Sequence, residues 1–209
     1  PDLEDAAAEI RGTGRKCLAV QAHVGRVDEI NNLVSRVAEE FGRIDILVNN
    51  AATNPTVDSA LDYTERAWDS VMNLNLKGLF FLSQAVARVM VEKGGGSIIN
   101  IASIEGITPG PLPVYGISKA GVIHTTKVMA KDWAKYNIRV NCIAPGLTKT
   151  KFSEFLWSTP EILEHALQGT PMARIAEPDE MVGAAVYLAS NASSYVTGQI
   201  LAVDGGFTI

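Results

Sequence analysis

The chain has 209 residues, of which 47% are hydrophobic and 20% charged, with a formal net charge of −5. This length and apolar content suffice for one domain with a buried core, which excludes an intrinsically disordered chain. Apolar stretches are interrupted within about ten residues, well short of the roughly 20 that a span needs, so no membrane partner is expected. The charges are interspersed without a basic stripe, which argues against a nucleic-acid partner.

The first quarter of the chain alternates helical and strand-like patterns. A helix is predicted over Leu3–Arg11 and a strand over Lys16–Gln21. Apolar residues spaced three and four apart predict a helix over Val27–Phe41, which Gly42 ends. The apolar run Ile44–Val48 predicts the next buried strand.

The same alternation continues to the C-terminus. Thr64 is predicted to cap a long helix that reaches about Val91. The further predicted elements are strands over Ser97–Ile101, Asn137–Ala144 and Gln199–Val203, and helices over Val114–Lys135 and from Pro178 onward. Apolar strands separated by helices indicate an α/β fold with a doubly wound parallel sheet. Without a linker or repeat, residues 1–209 are expected to form a single domain.

One expected feature of a nucleotide-binding sheet has no counterpart near the start of the sequence. Such sheets bind phosphate where the first strand turns through a glycine-rich loop into a helix. The glycine pair Gly12 and Gly14 instead follows a predicted helix and precedes a strand. We therefore expect the sheet to lack its first strand, first helix and second strand, leaving a gap beside strand Ile44–Val48. We also expect the 209 residues not to be the whole working protein.

Tyr115 and Lys119 form the first candidate for chemistry. Four residues apart on a predicted helix, they share a face. A neighbouring ammonium favours the phenolate and lowers the pKa of a tyrosine from about 10, which makes Tyr115 a usable general acid/base. Ser103 follows a predicted strand, where a hydroxyl could bond a carbonyl oxygen. The alternatives are a solvated helix face and a serine bonded to its own backbone.

Further polar residues follow the other predicted strands. Asn49, Asn50 and Ala51 come after one strand, where they could hold a ligand or form only a turn. Asn75 lies in the middle of a predicted helix, where asparagine is a poor helix former, so a kink or a function is expected there unless it is simply solvated. A third strand is followed by Pro145, Gly146, Thr148 and Thr150.

Taken together, these motifs and their spacing resemble the short-chain dehydrogenase/reductase family. The motifs are Asn-Asn-Ala-Ala at 49–52, Asn-Leu-Lys-Gly at 75–78, Ser103, Tyr-x-x-x-Lys at 115–119 and Pro-Gly-x-x-x-Thr at 145–150. The resemblance extends to Val-Asp-Gly-Gly at 203–206 and so covers the whole chain. It implies a Rossmann-type oxidoreductase that transfers hydride between NAD or NADP and a carbonyl or alcohol carbon.

The resemblance also implies roles for individual residues. Tyr115 would be the acid/base, Ser103 would hold the substrate carbonyl oxygen, and Lys119 would bind the nicotinamide ribose and lower the pKa of Tyr115. Asn75 would position a water that links Lys119 to solvent. The other residues that it assigns to the cofactor are His23, Val24, Asn49, Asn50, Ala51, Pro145, Gly146, Thr148 and Thr150.

The sequence departs from the family pattern at His23-Val24, where the family usually has Asp-Val. With the segments 49–55 and 144–153, this departure resembles the carbonyl-reductase branch (dehydrogenase/reductase member 4-like), which is often NADP-linked. The Tyr-x-x-x-Lys spacing argues against the enoyl-reductase branch. The end of the second strand, whose charge separates NAD from NADP, is not in the sequence, so either cofactor remains open.

An aromatic segment follows the Pro-Gly turn. It contains Phe152, Phe155 and Trp157, which could belong to the core but are favoured as an apolar lid. A lid of this kind implies a small carbonyl or alcohol substrate with an apolar part. His23, His124 and His165 share no metal-ligand spacing, so no metal is expected.

Three expectations concern the protein as a whole. Cys17 and Cys142 lie in apolar runs, which indicates reduced core residues of a cytoplasmic protein. The resemblance and the apolar surface of the helix from Val114 indicate a homotetramer. The competing functions are a member of the family without catalysis, acting in binding or assembly, and a dehydratase or epimerase of the same fold.

Overall fold

The structure, a computed structural model, describes residues 2–55 and 59–209. Within these residues, four strands form one sheet in the order β1-β2-β3-β4, and every neighbouring pair is parallel. The strands are β1 (Ile46–Asn49), β2 (Gly96–Ile101), β3 (Ile138–Pro145) and β4 (Ile200–Val203). The predicted α/β class with a parallel sheet is confirmed.

Helices cover both faces of this sheet. They are α1 (Asp2–Gly12), α2 (Val27–Phe41), α3 (Glu65–Met72), α4 (Leu79–Glu92), α5 (Pro113–Trp133), α6 (Glu154–Ser158), α7 (Pro160–Gln168) and α8 (Val182–Ala189). On one face, residues of α2, α4 and α5 pack with Ile98 and Val140. On the other, Leu188 of α8 packs with Ile99 and Ile143. The side chains of neighbouring residues such as Ile98 and Ile99 therefore pack on opposite faces of the sheet, because side chains alternate along a strand.

The predicted strand Lys16–Gln21 is wrong. Residues 15–23 contain neither helix nor strand, and β1 pairs only with β2. The cause is physical: an apolar sequence becomes a strand only when a neighbouring strand pairs with its backbone groups. The open edge of β1 shows the same lack of a neighbour, since Ile46 and Val48 are each 47% exposed.

The predicted helix from Thr64 to about Val91 is confirmed, but with an irregular centre. The Thr64 hydroxyl accepts the N–H of Ala67 at 3.2 Å and caps α3. A π-helical turn, Asn73–Gly78, separates α3 from α4. An ideal Cβ on Gly78 would collide with the carbonyl oxygen of Val24, so the chain packs closely there. The irregularity expected at Asn75 is therefore present as a π-helical turn.

The stretch Glu65–Glu92 is, within the described residues, the one helix long and apolar enough to cross a membrane. Of its most apolar window, 44% is buried inside the protein, and core helices pass the same test of length and composition. The expectation of no membrane partner remains a prediction.

The other predicted helices differ mainly at their ends. Gly42, at φ 75°, ends α2 as expected. Helix α5 stops at Trp133, and a three-ten turn with Asn137 at φ 60° leads into β3. Pro178 opens a three-ten turn that continues into α8. Helices α6 and α7 were not predicted.

Candidate active site at the carboxyl edge of the sheet

Tyr115 and Lys119 lie together at the carboxyl end of β2. Both are on α5 and nearly buried, with 8% and 3% of their surfaces exposed. Lys119 Nζ donates to the carbonyl oxygen of Ile101 at 2.8 Å and lies 5.4 Å from the centroid of the Tyr115 ring. Since two protons of the ammonium remain, Lys119 can bind further acceptors beside the phenol.

Burial dominates the proton affinities of this pair. It raises the pKa of Tyr115 to about 12, although hydrogen bonding to the Ser103 hydroxyl lowers that pKa, and the charge of Glu105 raises it further. Burial also lowers the pKa of Lys119 to about 8. For the chain's own residues, the expected lowering of the Tyr115 pKa is therefore wrong, because desolvation disfavours the phenolate. Tyr115 holds its proton at neutral pH, the form that acts as a general acid.

Ser103 both caps a turn of the backbone and lies beside Tyr115. It caps the three-ten turn Ile104–Gly106, and its hydroxyl accepts the N–H of Glu105 at 3.2 Å. The same hydroxyl lowers the pKa of the Tyr115 phenol, which places it beside that group. The predicted juxtaposition of Ser103, Tyr115 and Lys119 is therefore present.

Asn75 connects the loop after β1 with α5. Its Oδ1 accepts the N–H of Thr53 at 2.8 Å, while its Nδ2 donates to the carbonyl of Thr53 at 2.9 Å and to Ser118 Oγ at 3.1 Å. Ser118 in turn donates to the carbonyl oxygen of Tyr115 at 2.7 Å. Both amide hydrogens of Asn75 are thus used within the protein. These contacts assign the side chain to holding the loop and give no support to the expected water-positioning role.

The residues after β1 divide between the core and the surface. Asn49 is buried, and its Nδ2 donates at 2.8 Å both to Ser83 Oγ and to Asn100 Oδ1. Its side chain therefore joins β1 to β2 and α4 rather than facing a ligand. Asn50 and Ala51 are exposed at the strand end, where a cofactor could reach them.

The pair His23 and Val24 lies between the start of α2 and the π-helical turn. His23 is exposed, and its backbone N–H donates to Glu29 Oε2 at 2.6 Å, a bond that lowers the pKa of Glu29. Val24 lies against Gly78, where only glycine leaves room for its carbonyl. Segment 23–24 therefore packs against the same π-helical turn that carries Asn75.

The Pro-Gly turn after β3 is internally bonded. Gly146 donates its N–H to the carbonyl of Val203 at 3.0 Å. Thr148 donates its hydroxyl to the carbonyl of Gly146 at 3.1 Å, and Thr150 Oγ1 lies 3.0 Å from Ser153 Oγ. The predicted cofactor residues of this turn lie at the carboxyl edge, with their hydroxyls engaged locally.

The aromatic segment lies over the site and outside the core. Phe152 is 54% exposed, and its ring centroid is 5.9 Å from that of Tyr115. Phe155 is 56% exposed, whereas Trp157 is anchored by its Nε1, which donates to the carbonyl of Thr150 at 3.0 Å. These exposures exclude Phe152 and Phe155 from the core and support the lid interpretation.

Sequence reasoning missed Glu105, a charged residue at this site. Its Oε2 is buried without a hydrogen-bond partner in the described part of the chain. The available signal was its place two residues after Ser103 and directly before Gly106. Of the residues that the structure describes, no three His, Cys, Asp or Glu side chains group as metal ligands, so a metal-free site stays a prediction.

Comparison with known proteins identifies the family. A family model described as Enoyl-(Acyl carrier protein) reductase matches residues 1–208. The 2-dehydro-3-deoxy-D-gluconate 5-dehydrogenase of Escherichia coli (strain K12) is 44% identical over 201 residues, covering 95% of this chain and 79% of the relative. The chain belongs to the short-chain dehydrogenase/reductase family.

Other members of the family agree in sequence and in structure. Human dehydrogenase/reductase SDR family member 4 is 37% identical over 206 residues, covering 98% of this chain and 74% of the relative. The structure of a gluconate 5-dehydrogenase from Burkholderia cenocepacia, in complex with NADP and tartrate, superimposes with a TM-score of 0.94 at 35% identity. The superposition covers 98% of this chain and 80% of the gluconate 5-dehydrogenase chain. The predictions of an NAD- or NADP-dependent dehydrogenase/reductase are confirmed.

Proposed function

We propose that this short-chain dehydrogenase/reductase interconverts a carbonyl and an alcohol by hydride transfer, with Tyr115 as general acid/base. The observation that carries the proposal is the buried pair of Tyr115 and Lys119 beside Ser103, at the carboxyl edge of a parallel sheet. Ligands bind at this edge in doubly wound folds. The dehydrogenase and reductase names of the relatives favour hydride transfer over a dehydratase or epimerase.

In carbonyl reduction, the Tyr115 hydroxyl donates its proton to the carbonyl oxygen as negative charge develops there. Ser103 donates a hydrogen bond to the same oxygen and stabilises that charge. Lys119, fixed by its bond to the Ile101 carbonyl, would hold the ribose hydroxyls of the cofactor with its remaining N–H groups. When bound, the nicotinamide supplies or accepts the hydride.

The nicotinamide half of the cofactor fits the carboxyl edge. Asn50 and Ala51 are exposed there, and Lys119 has donors to spare. Within the described residues no glycine-rich loop joins a strand to a helix, since Gly14, at φ 80°, only closes the turn after α1. The other cofactor contacts that we propose are His23, Val24, Pro145, Gly146, Thr148 and Thr150, whereas the buried side chain of Asn49 is bonded within the core. We make no choice between NAD and NADP.

The substrate we propose is a small carbonyl compound with an apolar part, as in the carbonyl-reductase branch. Phe152, Phe155 and Met172 are each more than half exposed on the segment that follows the Pro-Gly turn. A polar keto acid is the second candidate, because the relative from Escherichia coli is named for 2-dehydro-3-deoxy-D-gluconate. Measuring kcat/KM with an aryl ketone and with a keto-aldonic acid separates the two.

The acid/base assignment is tested by Tyr115→Phe, which removes one hydroxyl and keeps the ring. We expect kcat to fall by about 10²–10⁴-fold, the usual range for loss of a general acid/base, with cofactor binding retained. Tyr136→Phe, on an exposed turn, is the matched control and should keep full activity. A Tyr115→Phe enzyme with wild-type kcat would sink the assignment.

We further propose a single domain over residues 1–209, a homotetramer and a cytoplasmic location. The tetramer is supported by two separate exposed apolar surfaces, one on α4 and α5 with Phe80 and Val128, the other on α8 and β4 with Val186 and Leu201. No metal and no nucleic acid takes part in this proposal.

A further inference from the structure

A buried carboxyl group lies near Tyr115 and has no part in the proposed mechanism. Glu105 belongs to the three-ten turn Ile104–Gly106, two residues after Ser103. Its Oε2 is inaccessible to solvent and has no hydrogen-bond partner in the part of the chain that the structure describes. Buried polar atoms almost always have a partner, so an orphaned carboxyl oxygen beside an active site calls for a functional reason.

Three glycines allow this carboxyl to sit between a loop and α5. An ideal Cβ on Gly110 would collide with both Glu105 carboxylate oxygens. A Cβ on Gly106 would lie 2.6 Å from the carbonyl carbon of Lys119, and one on Gly116 would lie 3.0 Å from the backbone oxygen of Glu105. A side chain at Gly106 would push the turn away from α5, whereas one at Gly110 would displace the carboxyl group of Glu105. Glu105 is therefore packed tightly against the backbone that carries Tyr115.

Glu105 influences the two reacting side chains in different ways. Its backbone N–H donates to Ser103 Oγ at 3.2 Å, which orients the hydroxyl proposed to hold the substrate oxygen. Its carboxylate charge raises the pKa of Tyr115. Burial raises the pKa of Glu105 itself, and the backbone N–H groups of Leu112 and Gly110 oppose that rise.

We propose that Glu105 is a positioning residue for the Ser103–Tyr115 pair. Its carboxyl group holds the loop 107–112 against the start of α5, and its backbone N–H fixes the Ser103 hydroxyl. The inference rests on the proposed function, because its main readout is the reaction at Tyr115. It goes further in assigning the alignment of the pair to a residue that touches neither substrate nor cofactor.

A double-mutant cycle tests the contact itself. Glu105→Ala removes the carboxyl, and Gly110→Ala displaces it without changing Glu105. Because a misplacement of about 1 Å can cost 10²-fold, each single variant should lower kcat about tenfold or more while the KM for the cofactor stays within about twofold. In the Glu105→Ala background, Gly110→Ala should have no further effect, since the atoms it collides with are gone. Additive losses, or wild-type kcat in both single variants, would overturn the proposal.

A pH profile distinguishes positioning from a purely structural role. The titratable groups that face Tyr115 are Glu105 from the three-ten turn and Lys119 from α5 itself. Glu105→Gln keeps the shape of the side chain but removes its charge, so the pKa of Tyr115 should fall. In alcohol oxidation, where Tyr115 is the base, the acidic limb of kcat/KM should then move to lower pH. Superimposable profiles for Glu105→Gln and the wild type would contradict this role.

Two controls separate this proposal from the proposed function. Glu92→Gln, an exposed change far along α4, should leave kcat and the pH profile unchanged. Hydrogen exchange of the amides of residues 107–112 should speed up in Glu105→Ala, whatever the enzyme's activity. If Tyr115→Phe is inactive but Glu105→Ala retains wild-type kcat, the positioning role fails and the proposed function stands. If Tyr115→Phe is fully active, the proposed function fails, and unchanged exchange at these amides then overturns the positioning role as well.

Discussion

At the scale of single residues, the pKa values of Tyr115 and Lys119 depend more on burial than on the spacing of the two residues. Four-residue spacing places both side chains on one face of α5, and it also predicted that the ammonium lowers the pKa of the phenol. Burial reverses that expectation, raising the pKa of Tyr115 to about 12 and lowering that of Lys119 to about 8. Desolvation opposes both charged forms at once, so the chain's own residues keep the phenol protonated.

The lowered pKa of Lys119 predicts a specific pH dependence of stability. The pKa is about 8 when folded and 10.5 in the unfolded reference, so the unfolded chain binds the proton more tightly. Below about pH 8 the folded state bears the cost of a buried ammonium, and stability is recovered as the pH rises toward 10.5. The gain in the free energy of unfolding that Lys119→Met gives over the wild type should therefore be larger at pH 7 than at pH 10. The difference between the two gains should be about 2–3 kcal/mol.

Urea unfolding at the two pH values measures this difference. Lys127→Met, an exposed change on the same helix, is the matched control and should show the same offset at both pH values. The other titrating groups are present in every variant, but the charge of Lys119 lowers the pKa of Cys142, so the measured difference includes that coupling. An offset for Lys119→Met that does not depend on pH would refute the buried ammonium.

At the scale of elements, the π-helical turn Asn73–Gly78 organises the loop after β1. Asn75 bonds both backbone groups of Thr53, and Gly78 admits the backbone of Val24. In a regular α-helix, Asn75 and Gly78 would project from the helix axis in directions different from those they have in the π-helical turn. The irregular turn therefore contacts both the loop after β1 and the segment around Val24, and Asn75 bonds Ser118 of α5 as well.

Removing the Asn75 amide should destabilise the protein through the groups that it leaves unpaired. Asn75→Ala strands the N–H and C=O of Thr53 near the core, so we expect a loss of about 2–4 kcal/mol in the free energy of unfolding. Asn73→Ala, an exposed change in the same turn, should stay within about 0.5 kcal/mol of the wild type. If the two substitutions lower the free energy of unfolding in urea equally, the hydrogen bonds between Asn75 and Thr53 contribute nothing to stability.

The segment 150–174, with α6 and α7, is the element that we expect to close over substrate. Its aromatic side chains are exposed, while its far end is held by a bond from the Met172 N–H to the Gly205 carbonyl at 3.1 Å. Hydrogen exchange should show added protection in this segment when NADP and substrate are both present. Helix α4, which packs on the sheet and carries none of the proposed site residues, serves as the internal reference. Protection that is identical with and without ligands would contradict closure.

At the scale of the whole molecule, two exposed apolar surfaces predict the assembly. Val128 on α5 is 50% exposed and Val186 on α8 is 61% exposed, on opposite sides of the sheet. Two independent twofold contacts would join four chains. Light scattering should find a tetramer, with Val128→Glu and Val186→Glu each reducing it to a dimer. Lys127→Glu is the control on α5, and a clean monomer of the unaltered chain at micromolar concentration would refute the assembly.

The sequence alone determined the fold class, the family and the residues that meet at the carboxyl edge. Apolar runs separated by amphipathic helices specify a parallel sheet. The order and spacing of Ser103, Tyr115 and Lys119 indicate that they lie together. Both patterns can be read from residues close in sequence. Only the tertiary structure decided that residues 16–21 form no strand, since pairing depends on a neighbour. It alone placed Asn49 in the core and Glu105 against Gly110, because burial and hydrogen-bond partners come from chain segments distant in sequence.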